Sequence, residues 1–147
     1  MKKQLQTLGI ITILLAGVLG VLFSSTTVAH TEDDPFVTQL IAGGGNPKSE
    51  IDVGEVQVWN DGETLYVKYI VDLDGWCIIE THLHIATDPG DIPQKNGNPI
   101  PGKFMENNEH GCVPDVLYTF DLEDEEWDCG ETLYIAAHAV VVHHHVD

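Results

Sequence analysis

Histidine is the residue type in this sequence whose number and spacing point most directly to chemistry. The chain has 8 histidines in 147 residues, and His82 and His84 lie two apart in an apparent β-strand. Because successive side chains of a strand point to opposite faces, both imidazoles leave one face, together with Glu80. Imidazole nitrogens are common ligands of zinc and copper. With His138 of the last strand as third ligand, this pattern predicts a zinc or copper site. Glu80 would supply an oxygen ligand or a hydrogen-bond acceptor behind a histidine.

The same histidines also have a purely structural interpretation. His138 lies in the run Ala-Ala-His-Ala-Val, where a buried neutral imidazole would bond to a neighbouring backbone group or to Glu80. His82 and His84 would then face solvent on the outer side of a sandwich. His110, on a segment expected to be a loop, is a weaker fourth ligand.

The first 29 residues have the layout of a secretory signal peptide. Lys2 and Lys3 precede an apolar stretch over residues 8–23, and Thr27-Val28-Ala29 fits a cleavage site. The stretch is shorter than the roughly 20 residues that span a membrane comfortably, so an uncleaved anchor is the less favoured alternative. Cleavage after Ala29 predicts one domain over residues 30–147, with no stable membrane span.

Such cleavage would make His30 the N-terminus of the mature chain. An N-terminal histidine can hold copper through its amine and its imidazole, as secreted copper oxygenases acting on polysaccharides do. The simpler interpretation is that the peptidase must leave some residue there, and His30 leads a polar acidic segment. The terminal run of histidines 143–145 chelates metals loosely in any context and carries little weight.

Acidic residues dominate the composition and exclude some partners. The chain has 24 acidic and 6 basic residues and a net charge of −18; without Lys2 and Lys3 the counts become 24 and 4, or −20. Nucleic acid and anionic lipid need cations that neutralise phosphate, so neither is an expected partner. The acidity suits a secreted protein, a high-salt habitat or a surface that collects divalent cations.

A calcium site is a weaker expectation from the acidic segment 121–128. That segment lacks the ligand spacing and the turn glycine of an EF-hand loop, so a solvated turn is favoured. Weak calcium binding shared with Asp72 and Asp74 is the alternative.

The three cysteines allow one disulfide in an oxidising compartment. We predict Cys112 with Cys129, because they flank one expected strand and its turn, which leaves Cys77 over.

Short strands separated by turns predict an all-β fold, an antiparallel sandwich of Ig-like or jelly-roll-like type with six to seven strands. Asp61-Gly62 between two alternating runs predicts a hairpin. Four prolines and three glycines in residues 88–103 predict a long loop, and such loops are often functional. The expected strands are residues 36–42, 55–59, 64–71, 76–87, 116–122 and 132–145.

Several segments, in order and spacing, resemble a group of secreted and cell-surface bacterial and archaeal proteins of unknown function. The resemblance implies an extracellular β-sandwich module and carries no activity with it. The matching runs are Leu40-Ile41-Ala42-Gly43, Val53-Gly54-Glu55-Val56, Asn60-Asp61-Gly62, Gly75-Trp76, Glu80-Thr81-His82-Leu83, Gly97-Asn98-Pro99-Ile100-Pro101-Gly102-Lys103-Phe104 and Tyr134-Ile135-Ala136-Ala137-His138-Ala139-Val140.

The sequence has no Gly-x-Ser-x-Gly elbow and no glycine-rich phosphate loop. A non-enzymatic module is therefore the favoured function, with a structural, adhesive or ligand-binding role toward a cell-surface glycan or protein. The loop 88–103 and exposed Trp59 and Tyr66 would form its contact surface. The alternatives are a histidine-ligated metal-binding protein, including a metalloenzyme, and a self-associating filament subunit that donates residues 30–42 as a strand.

Overall fold

The computed structural model describes residues 9–14, 30–43, 48–128 and 130–144. These residues form ten strands, which are β1 (Gly9–Leu14), β2 (Phe36–Ala42), β3 (Ile51–Asn60), β4 (Thr64–Val71), β5 (Trp76–Ala86), β6 (Gln94–Lys95), β7 (Asn98–Pro99), β8 (Glu106–Val113), β9 (Asp115–Asp121) and β10 (Thr132–His143). Two four-stranded sheets have the orders β1-β10-β5-β8 and β2-β3-β4-β9, and β6 pairs with β7 alone. Every pairing is antiparallel except that of β1 with β10.

The β3–β4 hairpin follows from the turn at Asp61 and Gly62. The Asp61 carboxylate accepts hydrogen bonds from the backbone N–H groups of Glu63 and Thr64, at 3.0 and 2.8 Å. Gly62 has a φ of 91°, which glycine adopts without steric cost. Alternation along the hairpin places its valines and Leu65 in the interior, because one face of each strand is buried against the other sheet.

The two sheets pack face to face around one apolar core, so the predicted all-β sandwich is confirmed. Side chains from both sheets are buried in this core; the largest that are fully buried are Tyr69, Leu40, Leu65, Ile78, Leu83, Leu133 and Ile135. The only helical elements in the described parts of the chain are two short 3₁₀ turns. The described residues include no helix of the length and apolarity that a membrane crossing needs. Most of the expected signal peptide lies outside those residues.

An irregularity in β5 changes which side chains share a face. Opposite Val140 and Val141 of β10 stand Glu80 and Ile78, so Ile79 is an extra residue without a partner. Ile78 consequently joins the core in place of Ile79, which strict alternation back from Leu83 would have placed there. From Thr81 onward the alternation holds, with Leu83 and Ile85 inside.

The segment after β5 packs on the outer face of the first sheet. It contains the 3₁₀ turns Pro89–Asp91 and Pro101–Lys103 and the β6–β7 ribbon, so it has more regular structure than the predicted loop. Ile92 and Phe104 are buried against Ala86 and Ala136, forming a small second cluster outside the main core. This cluster anchors the segment beside the histidines of β5.

Two further expectations need revision. β8, where His110 lies, was expected to be a loop and is an edge strand paired with β5. Residues 36–42, within the segment proposed as a donated strand, form β2 and pair with β3 of the same chain.

Candidate functional site

His82 and His138 meet on the outer face of the first sheet. The antiparallel register of β5 and β10 sets the two residues directly opposite each other. Their Nδ1 atoms are 3.0 Å apart, and His82 Nε2 lies 2.8 Å from Glu80 Oε1. His82 is only 7% exposed, so its ring is held in place by its surroundings. The structure thus brings together three of the four predicted ligands.

These contacts limit the protonation states that the two imidazoles can adopt. If His82 Nε2–H donates to the Glu80 carboxylate, neutral His82 presents a lone pair at Nδ1. His138 then either donates its own Nδ1–H to that lone pair or, without that proton, presents a second lone pair beside the first. Two nitrogens 3.0 Å apart and each ~2.05 Å from one ion subtend about 95° at it. This angle is close to the square-planar geometry that Cu²⁺ prefers.

The electrostatics of the site favour neutral imidazole at His138. Burial is the largest influence and lowers the pKa of His138, and a positive charge on neighbouring His82 would lower it further. The Glu80 carboxylate opposes both effects. Because metals bind the deprotonated nitrogen, a lowered pKa keeps the ligand form available in mildly acidic solution.

His84 shares the face but not the cluster. Its Nδ1 accepts a hydrogen bond from the backbone N–H of Met105 at 3.1 Å, and its ring lies 5.8 Å from the ring of Phe104. Burial lowers the pKa of His84, while the charge of Asp91 raises it.

Across the described ranges no group of three or more His, Cys, Asp or Glu residues is arranged to hold a metal.

His110 lies on the inner side of the first sheet, away from His82. Its Nε2 is 2.7 Å from the hydroxyl oxygen of Thr81, which is fully buried. The Thr81 hydroxyl oxygen also lies 2.6 Å from the hydroxyl oxygen of Tyr118 on β9, in the second sheet. The weaker fourth ligand therefore belongs to a hydrogen-bonded link between the sheets.

His30, the less favoured copper ligand, lies at the other sheet. His30 Nδ1 is 3.3 Å from the carbonyl oxygen of Asp34, and the His30 carbonyl accepts from the Asn60 N–H at 3.1 Å.

Trp59 stacks on Tyr66 with ring centroids 5.1 Å apart and is only 8% exposed. The prediction of Trp59 as an exposed contact residue is therefore wrong.

The disulfide joins Cys77 to Cys112, so the predicted pairing of Cys112 with Cys129 is wrong. β5 and β8 are neighbours in the sheet, and the irregular pairing near Ile78 and Val113 brings the two cysteines together. Cys129 lies outside the described residues.

The acidic segment 121–128 forms a turn held by its own backbone. The Asp121 carboxylate accepts from the N–H groups of Glu123 and Asp124, at 2.9 and 3.1 Å. Asp121 pairs with Thr64 at the start of β4, whereas Asp72 follows its end. At ~3.3 Å per residue these ends are about 23 Å apart, so a calcium ion shared by the two groups is ruled out within one chain.

Sequence reasoning missed Tyr69, which lies beneath the histidine pair. It is fully buried and donates its hydroxyl hydrogen to the carbonyl oxygen of His82 at 2.8 Å. The alternation that places Val67 inside also places Tyr69 inside, and a buried hydroxyl needs a partner. The sequence thus signalled the need for a bond but not its acceptor.

No protein-family model, curated protein or solved structure matches this chain.

Proposed function

We propose that this protein is an exported β-sandwich module that acts outside the cytoplasm. The observation that carries the proposal is the Cys77–Cys112 disulfide, because such bonds persist in oxidising compartments. The basic and apolar N-terminal segment and the strong acidity of the rest of the chain agree with export. The role is structural, adhesive or ligand-binding, with the segment 88–103 on the outer face as its contact surface.

Intact mass measurement tests the export proposal. The full chain, produced with its own N-terminus in an exporting host, should be recovered outside the cytoplasm without residues 1–29. Thiol labelling before and after reduction should place the disulfide between Cys77 and Cys112. An unprocessed chain retained in the cytoplasm with three free thiols would contradict the proposal.

A second candidate function is the binding of one Cu²⁺ or Zn²⁺ ion, favoured by the meeting of His82 and His138. Both ligands come from adjacent strands of one sheet, so their separation is set by the β ladder. Glu80 would hold His82 in the tautomer that presents Nδ1, which is the usual role of a carboxylate behind a metal-bound histidine. Two protein nitrogens leave further coordination positions for water or a ligand.

Metal titration of the processed, untagged protein tests this candidate. The protein should first be stripped with a chelator, and histidines 143–145 should be replaced by alanine to remove loose binding. Copper should then bind at about one ion per chain, with spectroscopic coupling to two nitrogens. His82→Ala and His138→Ala should abolish binding, and Glu80→Gln should weaken it roughly 10- to 100-fold.

His84→Ala is the matched control, because His84 lies on the same strand and face but outside the cluster. It should keep the copper. Equal loss in His84→Ala and His82→Ala, or no copper binding once the terminal run is replaced, would contradict a site at the histidine pair. Thermal unfolding of each metal-free variant checks that it is folded.

A further inference from the structure

The outer edge of the first sheet is occupied by a strand that export would remove. β1 pairs in parallel with β10, from Gly9 opposite Thr132 to Leu14 opposite Ala137. Residues 9–14 lie within the apolar stretch predicted to be the export signal. The inference therefore rests on the proposed export: cleavage after residue 29 would leave β10 as an edge strand, with one side of its backbone unpaired.

β10 is unlike the charged edges of this molecule. It has 12 residues and contains no proline and no charged Asp, Glu, Lys or Arg, although the chain has 24 acidic residues. β8 carries Glu106 and Glu109, and β9 begins and ends with aspartate. Charges and prolines are the usual protection of edge strands against pairing. β2 is uncharged as well, but it is shorter, with 7 residues.

We propose that, in the exported protein, β10 of one copy pairs antiparallel with β10 of a second copy about a two-fold axis. This pairing would form a six-stranded sheet in the order β8-β5-β10-β10-β5-β8. A two-fold contact requires a self-complementary surface, and an uncharged strand pairing with itself meets that requirement. Two chains of net charge near −20 repel over most of their surfaces, whereas this edge brings no carboxylates together.

The exposed apolar area gives a second reason for pairing. Leu133, Ile135 and Ala137 of β10 are fully buried while β1 is in place. Loss of β1 leaves three strands facing a four-stranded second sheet, so part of the core layer beside β10 loses its cover. A partner strand restores both the backbone hydrogen bonds and that cover.

Mass and assembly state, measured on the same sample, test the proposal. The full chain is produced in an exporting host, the processed form is confirmed by intact mass, and its molar mass is measured by light scattering from micromolar to millimolar concentration. A dimer that strengthens with added salt is expected, since salt screens the repulsion between the acidic surfaces. A processed chain that stays monomeric overturns the dimer and leaves export intact. An unprocessed chain overturns both, and higher oligomers overturn the two-fold pairing.

Two adjacent proline variants locate the contact. Successive N–H groups of a strand point to opposite sides, so one of Ala136→Pro and Ala137→Pro removes a bond to β5, and the other removes only an edge donor. The edge variant should stay folded and become monomeric. Hydrogen exchange provides an independent measurement if neither variant folds. In the wild-type dimer the edge-directed β10 amides should be protected, and they should exchange faster on dilution. A folded edge variant that remains dimeric, or edge amides that stay unprotected, would place the contact elsewhere.

Discussion

The Tyr69 hydroxyl connects the two sheets directly beneath the histidine pair, and removing it should be costly. The hydroxyl donates to the His82 carbonyl at 2.8 Å, and the backbone of His138 also lies within hydrogen-bonding reach of it. Burial, followed by the neighbouring Tyr118, raises the pKa of Tyr69 well above its ordinary value. The group is therefore a neutral donor throughout the useful pH range. Tyr69→Phe deletes this one oxygen and keeps the ring.

The magnitude follows from what the deletion leaves behind. A typical intramolecular hydrogen bond contributes about 1 kcal/mol net, and a buried polar group left without its partner costs about 1–3 kcal/mol. Because Tyr69 is fully buried, water cannot replace the lost donor without opening the core. We expect Tyr69→Phe to lower the free energy of unfolding by about 1–3 kcal/mol. At ~4 °C per kcal/mol for a domain of this size, Tm should fall by roughly 4–12 °C.

Denaturant unfolding with Tyr66→Phe as the matched control measures this effect. Tyr66 also loses a hydroxyl, but its partner, Asp61 Oδ2 at 2.9 Å, is an exposed carboxylate that water can solvate. The control should lose less than ~0.5 kcal/mol. The copper affinity of Tyr69→Phe should fall as well, because its hydroxyl contacts the backbones of both histidines. Equal losses in the two variants, or none in Tyr69→Phe, would refute the reasoning.

Three further predictions concern the disulfide, the histidine pair and the β3–β4 contact. Replacing Cys77 and Cys112 together by serine should lower the free energy of unfolding by about 2–4 kcal/mol, since the bond closes a loop with a sequence separation of 35. Reductant should reproduce this loss in the wild type and leave the double variant unchanged. The pKa of His138 is lowered in the folded protein, so the unfolded chain binds more protons between that lowered pKa and about pH 6.5, and stability should decline as the pH falls through this interval. His138→Gln should flatten that part of the pH dependence of denaturant unfolding, and an unchanged profile would assign the decline to other groups. A Cβ at Gly54 would lie 1.9 Å from the Ile70 carbonyl oxygen. Gly54→Ala should therefore lower the free energy of unfolding by at least about 1–3 kcal/mol. Gly102→Ala is the control, because its Cβ meets nothing within 4 Å, and it should leave Tm nearly unchanged.

The fold was predictable from the sequence where the alternation of side chains is regular. Asp61-Gly62 and its flanking valines specify the hairpin and its faces, because turn and pattern agree. β8 could not be recognised, since its run Glu-Asn-Asn-Glu-His-Gly is polar and poor in strand-forming residues. Its tertiary pairing with β5 overrides that weak local preference.

The shared face of His82 and His84 follows from the sequence, whereas the distances between the predicted ligands do not. Period-two alternation places His82 and His84 on one side, but the register between β5 and β10 decides which of them meets His138. A shift of two residues would bring His84 opposite instead, and no local signal in the sequence fixes that shift. The disulfide was mispredicted for a related reason, because Cys77 meets Cys112 through the β5–β8 pairing, which depends on the unrecognised strand.

Copper binding and assembly would be coupled, because β10 carries both His138 and the open edge. β5 lies between β10 and β8, so His82 is fixed by neighbours on both sides. After export, β10 keeps only one neighbour, and the 3.0 Å separation of the two Nδ1 atoms then depends on how firmly that edge strand is held. Pairing with a second β10 would hold His138 in place, so dimerisation should tighten copper binding. By thermodynamic reciprocity each bound copper ion should tighten the dimer by the same factor. A copper affinity that does not change with protein concentration across the dimer transition would show that the two are independent.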